Sequence, residues 1–159
     1  MPLKTSVNAT PTVAEVRGFT YDGRDYSTLK PDGTFGLSFR VIHNSKRVIA
    51  EHIARRWICE QGDLDAAYIG AGFRRYLNMS LTVMQREQLE AALRNEALNV
   101  DGVERCSVAI TQKRLSGSAF ELTASATVTL SRRFGGETFT TVFALTAETS
   151  RLIVGGQIT

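Results

Sequence analysis

At 159 residues, with a formal net charge of +3 and a pI near 9.1, the chain has the size of one domain burying roughly 70% of its unfolded surface. Hydrophobic residues make up 43% and charged residues 22%, ordinary globular usage that indicates neither wholesale disorder nor a membrane protein. The opening Met1-Pro2-Leu3-Lys4-Thr5-Ser6 has no apolar run of the kind that directs secretion, so the chain is expected in the cytoplasm where it is made.

Residues 1–33 are read as an N-terminal arm and loop. Pro2, Pro11 and several threonines precede Asp22-Gly23 and Pro31-Asp32-Gly33, both strong turn signals, and the first 17 residues have the composition of a flexible arm. Residues 34–159 are read as one domain. It starts with a strand over Thr34 to Ile42, where Phe35, Leu37, Phe39 and Val41 alternate with polar or small residues. Asn44 and Ser45 then offer capping oxygens to a first helix, in which Ile49, Ile53 and Trp57 form an apolar stripe and Glu51, Arg55 and Arg56 fall mostly off it. Gly62-Asp63 ends that pattern. Gly70 and Gly72 permit backbone angles closed to other residues, and Phe73, Tyr76 and Leu77 follow at helical spacing beside Arg74 and Arg75, which predicts a short second helix.

A third helix is signalled by Thr82 with Gln85 three residues on, a capping box, followed by Leu89, Ala92, Leu93, Glu96 and Ala97 and an end near Asn99. From Asp101-Gly102 onward the period becomes two. Val103 to Lys113 places Cys106, Val108 and Ile110 on one face, and Leu115 to Ser118 is a turn. Ala119 to Leu130 alternates without a break, with Phe120, Leu122, Ala124, Ala126, Val128 and Leu130 inward. Arg132 to Gly136 closes a second hairpin into Glu137 to Thr146. Arg151 to Val154 reads equally as a last strand or a tail. The expected class is α+β, three helices packed on an antiparallel β-meander with an N-terminal strand and a flexible N-terminal arm.

An ordered set of these residues resembles the sheath-initiator family of baseplate wedge proteins, sometimes labelled lysozyme-like, found in contractile phage tails and related injection systems. The set runs from an apolar helix ending in Ala54-Arg55-Arg56, through Gly62-Asp63-Leu64, to Gly70 and Phe73-Arg74-Arg75-Tyr76-Leu77-Asn78, then a helix and strands; the resemblance spans about Arg47 to Leu145. It implies a structural protein of the virion tail, present in several copies around the tail axis. Its partners would be the tail sheath protein and other wedge proteins, with the tube or hub as further neighbours. The chain departs from the family pattern in three respects, the first being Ala66 and Ala67 where a proline is common. Ile69 precedes Gly70 where an aromatic is usual, and Glu96 is followed by Ala97-Leu98, so the family's Glu-Pro-Arg triplet and its contacts do not carry over.

The residues considered for partner binding are Arg55, Arg56, Trp57, Phe73, Arg74, Arg75, Tyr76, Arg132 and Arg133. Tryptophan, tyrosine and arginine are enriched where interfaces concentrate their energy, and Trp57 suits a core equally well. An open edge of the C-terminal sheet would add an extended segment of a partner as a further strand.

Other chemistry is not signalled. Glu51, Glu60, Asp63, Asp65, Glu87, Glu90 and Glu96 are candidate acids for a lysozyme-like alternative, but no motif pairs two of them across a cleft. Helical carboxylates such as Glu51 read as exposed faces. His43, His52, Cys59 and Cys106 show no metal-ligand or nucleophile spacing, so no cofactor or metal is expected and the chain is read as no enzyme. The positive residues lie scattered as pairs, which does not mark a nucleic-acid-binding stripe.

Overall fold

The computed structural model describes residues 25–26, 41–42, 45–62 and 69–155. Two short strands, β1 (Asp25–Tyr26) and β2 (Val41–Ile42), pair antiparallel as a small sheet of their own. Residues 25–26, read from sequence as loop, are thus strand. Of the expected strand over 34–42 only its last two residues are described; the rest, and the arm over 1–17, lie outside the described residues.

Helix α1 spans Ser45–Ile58 and helix α2 spans Val83–Leu98. The capping box of α2 forms as expected: the Gln85 N–H donates to Thr82 Oγ1 at 3.2 Å, and the Thr82 N–H donates to Gln85 Oε1 at 3.0 Å. Leu89, Leu93 and Ala97, one turn apart, form its buried stripe. The expected second helix is not an α-helix. Phe73–Tyr76 is a single 3₁₀ turn, closed by i to i+3 bonds from Arg75 N–H to Gly72 C=O and from Leu77 N–H to Arg74 C=O. Left-handed Gly72 bounds it on one side and the Leu77–Leu81 stretch on the other, which leaves too few residues to repay the nucleation of an α-helix. Among the described residues there are two α-helices rather than three.

The C-terminal half is a four-stranded antiparallel meander in the order β3 (Val103–Ser116), β4 (Ala119–Leu130), β5 (Thr138–Leu145) and β6 (Ser150–Val154). Arg151 to Val154, undecided in the sequence, belongs to the last strand. Alternation holds throughout β4, with Leu122, Ala124, Ala126, Val128 and Leu130 buried. Phe139, Thr141, Phe143 and Leu145 of β5 and Leu152 of β6 continue that inner face. Thr141 is buried without penalty because its hydroxyl donates to the Ile153 carbonyl at 2.9 Å. The turn between β4 and β5 carries Phe134, whose ring lies so close over Gly102 that a Cβ there would meet Phe134 Cδ2 at 2.8 Å. Gly102 has φ +90 and tolerates no other residue easily.

Both helices pack on one face of the meander, α1 over β5 and β6, α2 over β3, and they touch each other. The opposite face carries exposed Arg105, Ser107, Ala109, Thr111, Ser125, Thr127, Thr138 and Thr140. The core between the layers centres on Trp57, fully buried, its ring centroid 6.3 Å from that of Phe143, which lies 5.9 Å from Phe73. The Trp57 indole N–H donates to the Leu93 carbonyl of α2 at 2.8 Å. Trp57→Ala is expected to cost about 3 to 5 kcal/mol by cavity formation. Trp57→Phe is expected to cost about half of that, by losing the indole bond and part of the ring. Urea unfolding followed by circular dichroism checks both.

Candidate partner-binding site

The nine candidate residues fall into three environments. Trp57 and Phe73 are fully buried and pack on Phe143, so as side chains they serve the core and not a partner surface; this corrects their place among the interface candidates. Tyr76 is half-buried against the same core. Arg74 and Arg75 are exposed, as are Arg132 and Arg133.

Arg55 and Arg56 are structural. The Arg56 Nε donates to Glu96 Oε2 at 3.0 Å, joining α1 to α2 across 40 residues of chain, with both side chains largely buried. Glu51 lies one turn below Arg55 and one turn above Arg47, and its carboxylate is held by both, Nε of Arg47 at 3.3 Å and Nη2 of Arg55 at 3.4 Å. With 1% exposure it is buried, against the expectation of an exposed face. The arginines at i−4 and i+4 were the available signal, since a carboxylate so flanked is neutralised before it is desolvated.

The segment 69–72 closes the end of α1. A helix leaves its last carbonyls without partners inside the helix. Here the Ala71 N–H donates to the Arg56 carbonyl at 3.1 Å and the Gly72 N–H to the Cys59 carbonyl at 2.9 Å. Gly70, with φ +122, approaches so closely that a Cβ would collide with the Cys59 carbonyl. The Arg75 guanidinium lies over Gly72 and within 3.9 Å of Glu60, a solvent-exposed contact. The Arg74–Arg75 pair therefore sits at the C-terminal end of α1. The other exposed pair is elsewhere: Lys46 at the start of α1 bridges Glu137, just beyond the turn that carries Arg132 and Arg133, at 2.6 Å. The two pairs lie toward opposite ends of a 14-residue helix, about 20 Å long at its normal rise.

The acids considered for hydrolysis are engaged singly. Glu51 and Glu96 are held by arginines, and Glu90 accepts the Ile110 N–H at 2.8 Å. Glu87 lines, with Glu90 one turn further along α2, an open cleft against β3, and Glu60 lies beside Arg75; Asp63 and Asp65 lie outside the described residues. No group of three potential ligands capable of holding a metal occurs among the described residues, and no described helix is long and apolar enough to cross a membrane. Both cysteines are free thiols. Burial pushes the Cys106 thiol up to about 11, with the Arg94 guanidinium pulling the other way. No family model, curated protein or solved structure matches the chain.

Truncating either partner of the Arg56–Glu96 pair is expected to destabilise by about 3 to 5 kcal/mol, because the other charge is left buried. The double variant Arg56→Met with Glu96→Leu should lose less than either single change, and a double-mutant cycle from chemical denaturation measures it. For Cys106, a pKa raised from 9.0 to about 11 leaves roughly a hundredfold less thiolate at pH 8. Iodoacetamide alkylation of a Cys59→Ser variant should accordingly be about a hundredfold slower than that of an ordinary thiol, and should keep rising with pH up to near 11.

Proposed function

We propose that the chain is a structural component of a contractile-tail baseplate wedge that starts sheath assembly through protein–protein contacts, with a sheet edge receiving an extended arm of the first sheath ring. The observation that carries this reading is the ordered sequence set from Ala54-Arg55-Arg56 through Gly70 to Phe73-Arg74-Arg75-Tyr76, whose described residues form a helix end, a docked glycine loop and a 3₁₀ turn leading into a helix and a meander whose outer strands pair on one side among the described residues. An open edge supplies main-chain hydrogen bonds to an extended segment at no cost to the core. The virion tail would be its location, in several copies around the axis, with sheath and wedge proteins as neighbours. The exposed Arg74–Arg75 pair is the surface charge of that unit and would meet an acidic patch of a wedge neighbour; Arg132–Arg133 would serve a second neighbour at the other end.

Coexpression with sheath and wedge proteins tests the reading: copurification with at least one, and failure of sheath assembly in particles lacking the chain, are expected. Copurification with neither, together with normal sheath in such particles, ends it. Release of soluble fragments from peptidoglycan, lost on Asp63→Asn, would replace it with hydrolysis. Reversal of the exposed pair in an Arg74→Glu, Arg75→Glu variant should slow association with the captured partner about tenfold at low salt while leaving the melting temperature unchanged.

A further inference from the structure

Strand β3 is an edge of the meander, and one hydrogen bond shows which of its groups face outward. In an antiparallel ladder alternate residues turn their N–H and C=O toward or away from the neighbouring strand. The Ile110 N–H donates to Glu90 of α2, so Ile110, opposite Ala124, turns its N–H away from β4. By the period of two, Cys106 and Val108 present N–H and C=O outward in the same way. Their side chains lie on the helix side, half-buried, while Ser107 and Ala109 between them are exposed.

The protein closes part of this edge itself. Glu90 occupies the Ile110 N–H. Beyond it, the Gln112 side chain donates from Nε2 to the Met79 carbonyl at 2.7 Å and accepts the Leu81 N–H at 3.1 Å, so the segment before α2 lies against the strand there. Between this closure and the irregularity at Val103/Arg105, no strand pairs with Cys106 and Val108 on the outer side among the described residues. Helix α2 stands beside them, and Glu87, Ala91 and Arg94 form with Cys106 and Val108 an open cleft of about 320 Å³. The helix and the strand run in opposite directions, with Glu90 at Ile110 and the Arg94 charge acting on Cys106. Glu87 therefore marks the Ile110 end of the cleft, Arg94 the Cys106 end, and the methyl group of Ala91 leaves room in the middle.

We propose that this cleft takes an extended segment of a partner protein as an added strand antiparallel to β3, with a basic residue at its N-terminal end, small or β-branched residues in the middle and an acidic residue at its C-terminal end. An antiparallel segment enters at the Ile110 end, so its basic residue meets Glu87 and its acidic residue meets Arg94. Main-chain bonds to Cys106 and Val108 hold it, and the two charges set its direction. The proposal rests on the reading of the chain as a docking protein and names the edge at which it docks.

The test uses the ¹⁵N-labelled full chain and the acetylated, amidated peptide Lys-Val-Ser-Val-Glu, followed by amide hydrogen exchange. In the free chain the Ile110 amide should exchange slowly and those of Cys106 and Val108 quickly. Millimolar peptide should slow both about tenfold, and the reversed peptide Glu-Val-Ser-Val-Lys should not. Val108→Pro removes an outward N–H, which an edge strand tolerates, together with a half-buried valine side chain, and should abolish the effect; Ala91→Trp, which fills the cleft from the helix surface, should do the same if the proline variant is unfolded. Arg94→Glu should weaken binding about fivefold, with recovery on the peptide Lys-Val-Ser-Val-Lys. Absence of any slowing by the peptide, or slowing that survives Ala91→Trp, overturns the proposal while leaving the coexpression result to decide the wider reading. Cys106 and Val108 amides already slow in the full chain, and released by deleting residues 1–40, would assign the cleft to the chain's own N-terminal segment and overturn it as well.

Discussion

Trp57 sits where α1, α2 and the sheet converge. A buried indole N–H needs an acceptor, and here it takes the carbonyl of Leu93, while the ring packs on Phe143 and through it on Phe73. One side chain thus fixes the distance between the helices, the height of α1 above β5 and the seat of the 3₁₀ turn. It also fixes the rotation of α1 about its axis. With Trp57 turned inward, the neighbouring Arg56 reaches Glu96, and Glu51 is carried to the interior with an arginine one turn away on each side.

The electrostatics follow from that rotation. A mildly basic chain with repeated arginine pairs suggests a charged surface, yet Arg47, Arg55 and Arg56 are committed to two buried carboxylates. Such pairs contribute little net stability compared with apolar residues of the same volume, because desolvation offsets the attraction. What they supply is discrimination: any sliding of α1 along α2 would leave Glu96 or Arg56 buried without its partner. Of the arginine pairs, the exposed ones are therefore Arg74–Arg75 and Arg132–Arg133, toward opposite ends of α1.

Among the described residues the meander has helices on one face and ends in two edge strands, of which β3 is long and β6 short. Edges of this kind invite pairing with other chains. The chain covers part of β3 with its own polar groups, Glu90 on Ile110 and the Met79 to Leu81 segment on Gln112, so that pairing is confined to a short window rather than offered along 14 residues. A restricted edge beside a helix limits indiscriminate edge-to-edge pairing.

The period-two runs from Val103 to Leu145, the capping box at Thr82 and the stripe of Ile49, Ile53 and Trp57 were legible in the chain because each is a local pattern written within one element. The α+β class followed from them. The helix expected at Phe73 to Tyr76 is a 3₁₀ turn, because apolar spacing does not reveal that glycine and a loop leave only four residues for it. Whether Trp57 and Phe73 faced a partner or the core, and that Arg56 would find Glu96, were decided by tertiary structure, whereas the burial of Glu51 had a local signal in Arg47 and Arg55. Those outcomes depend on how α1 is rotated against residues 36 to 86 positions away, and no pattern inside a single helix records the far side of that contact.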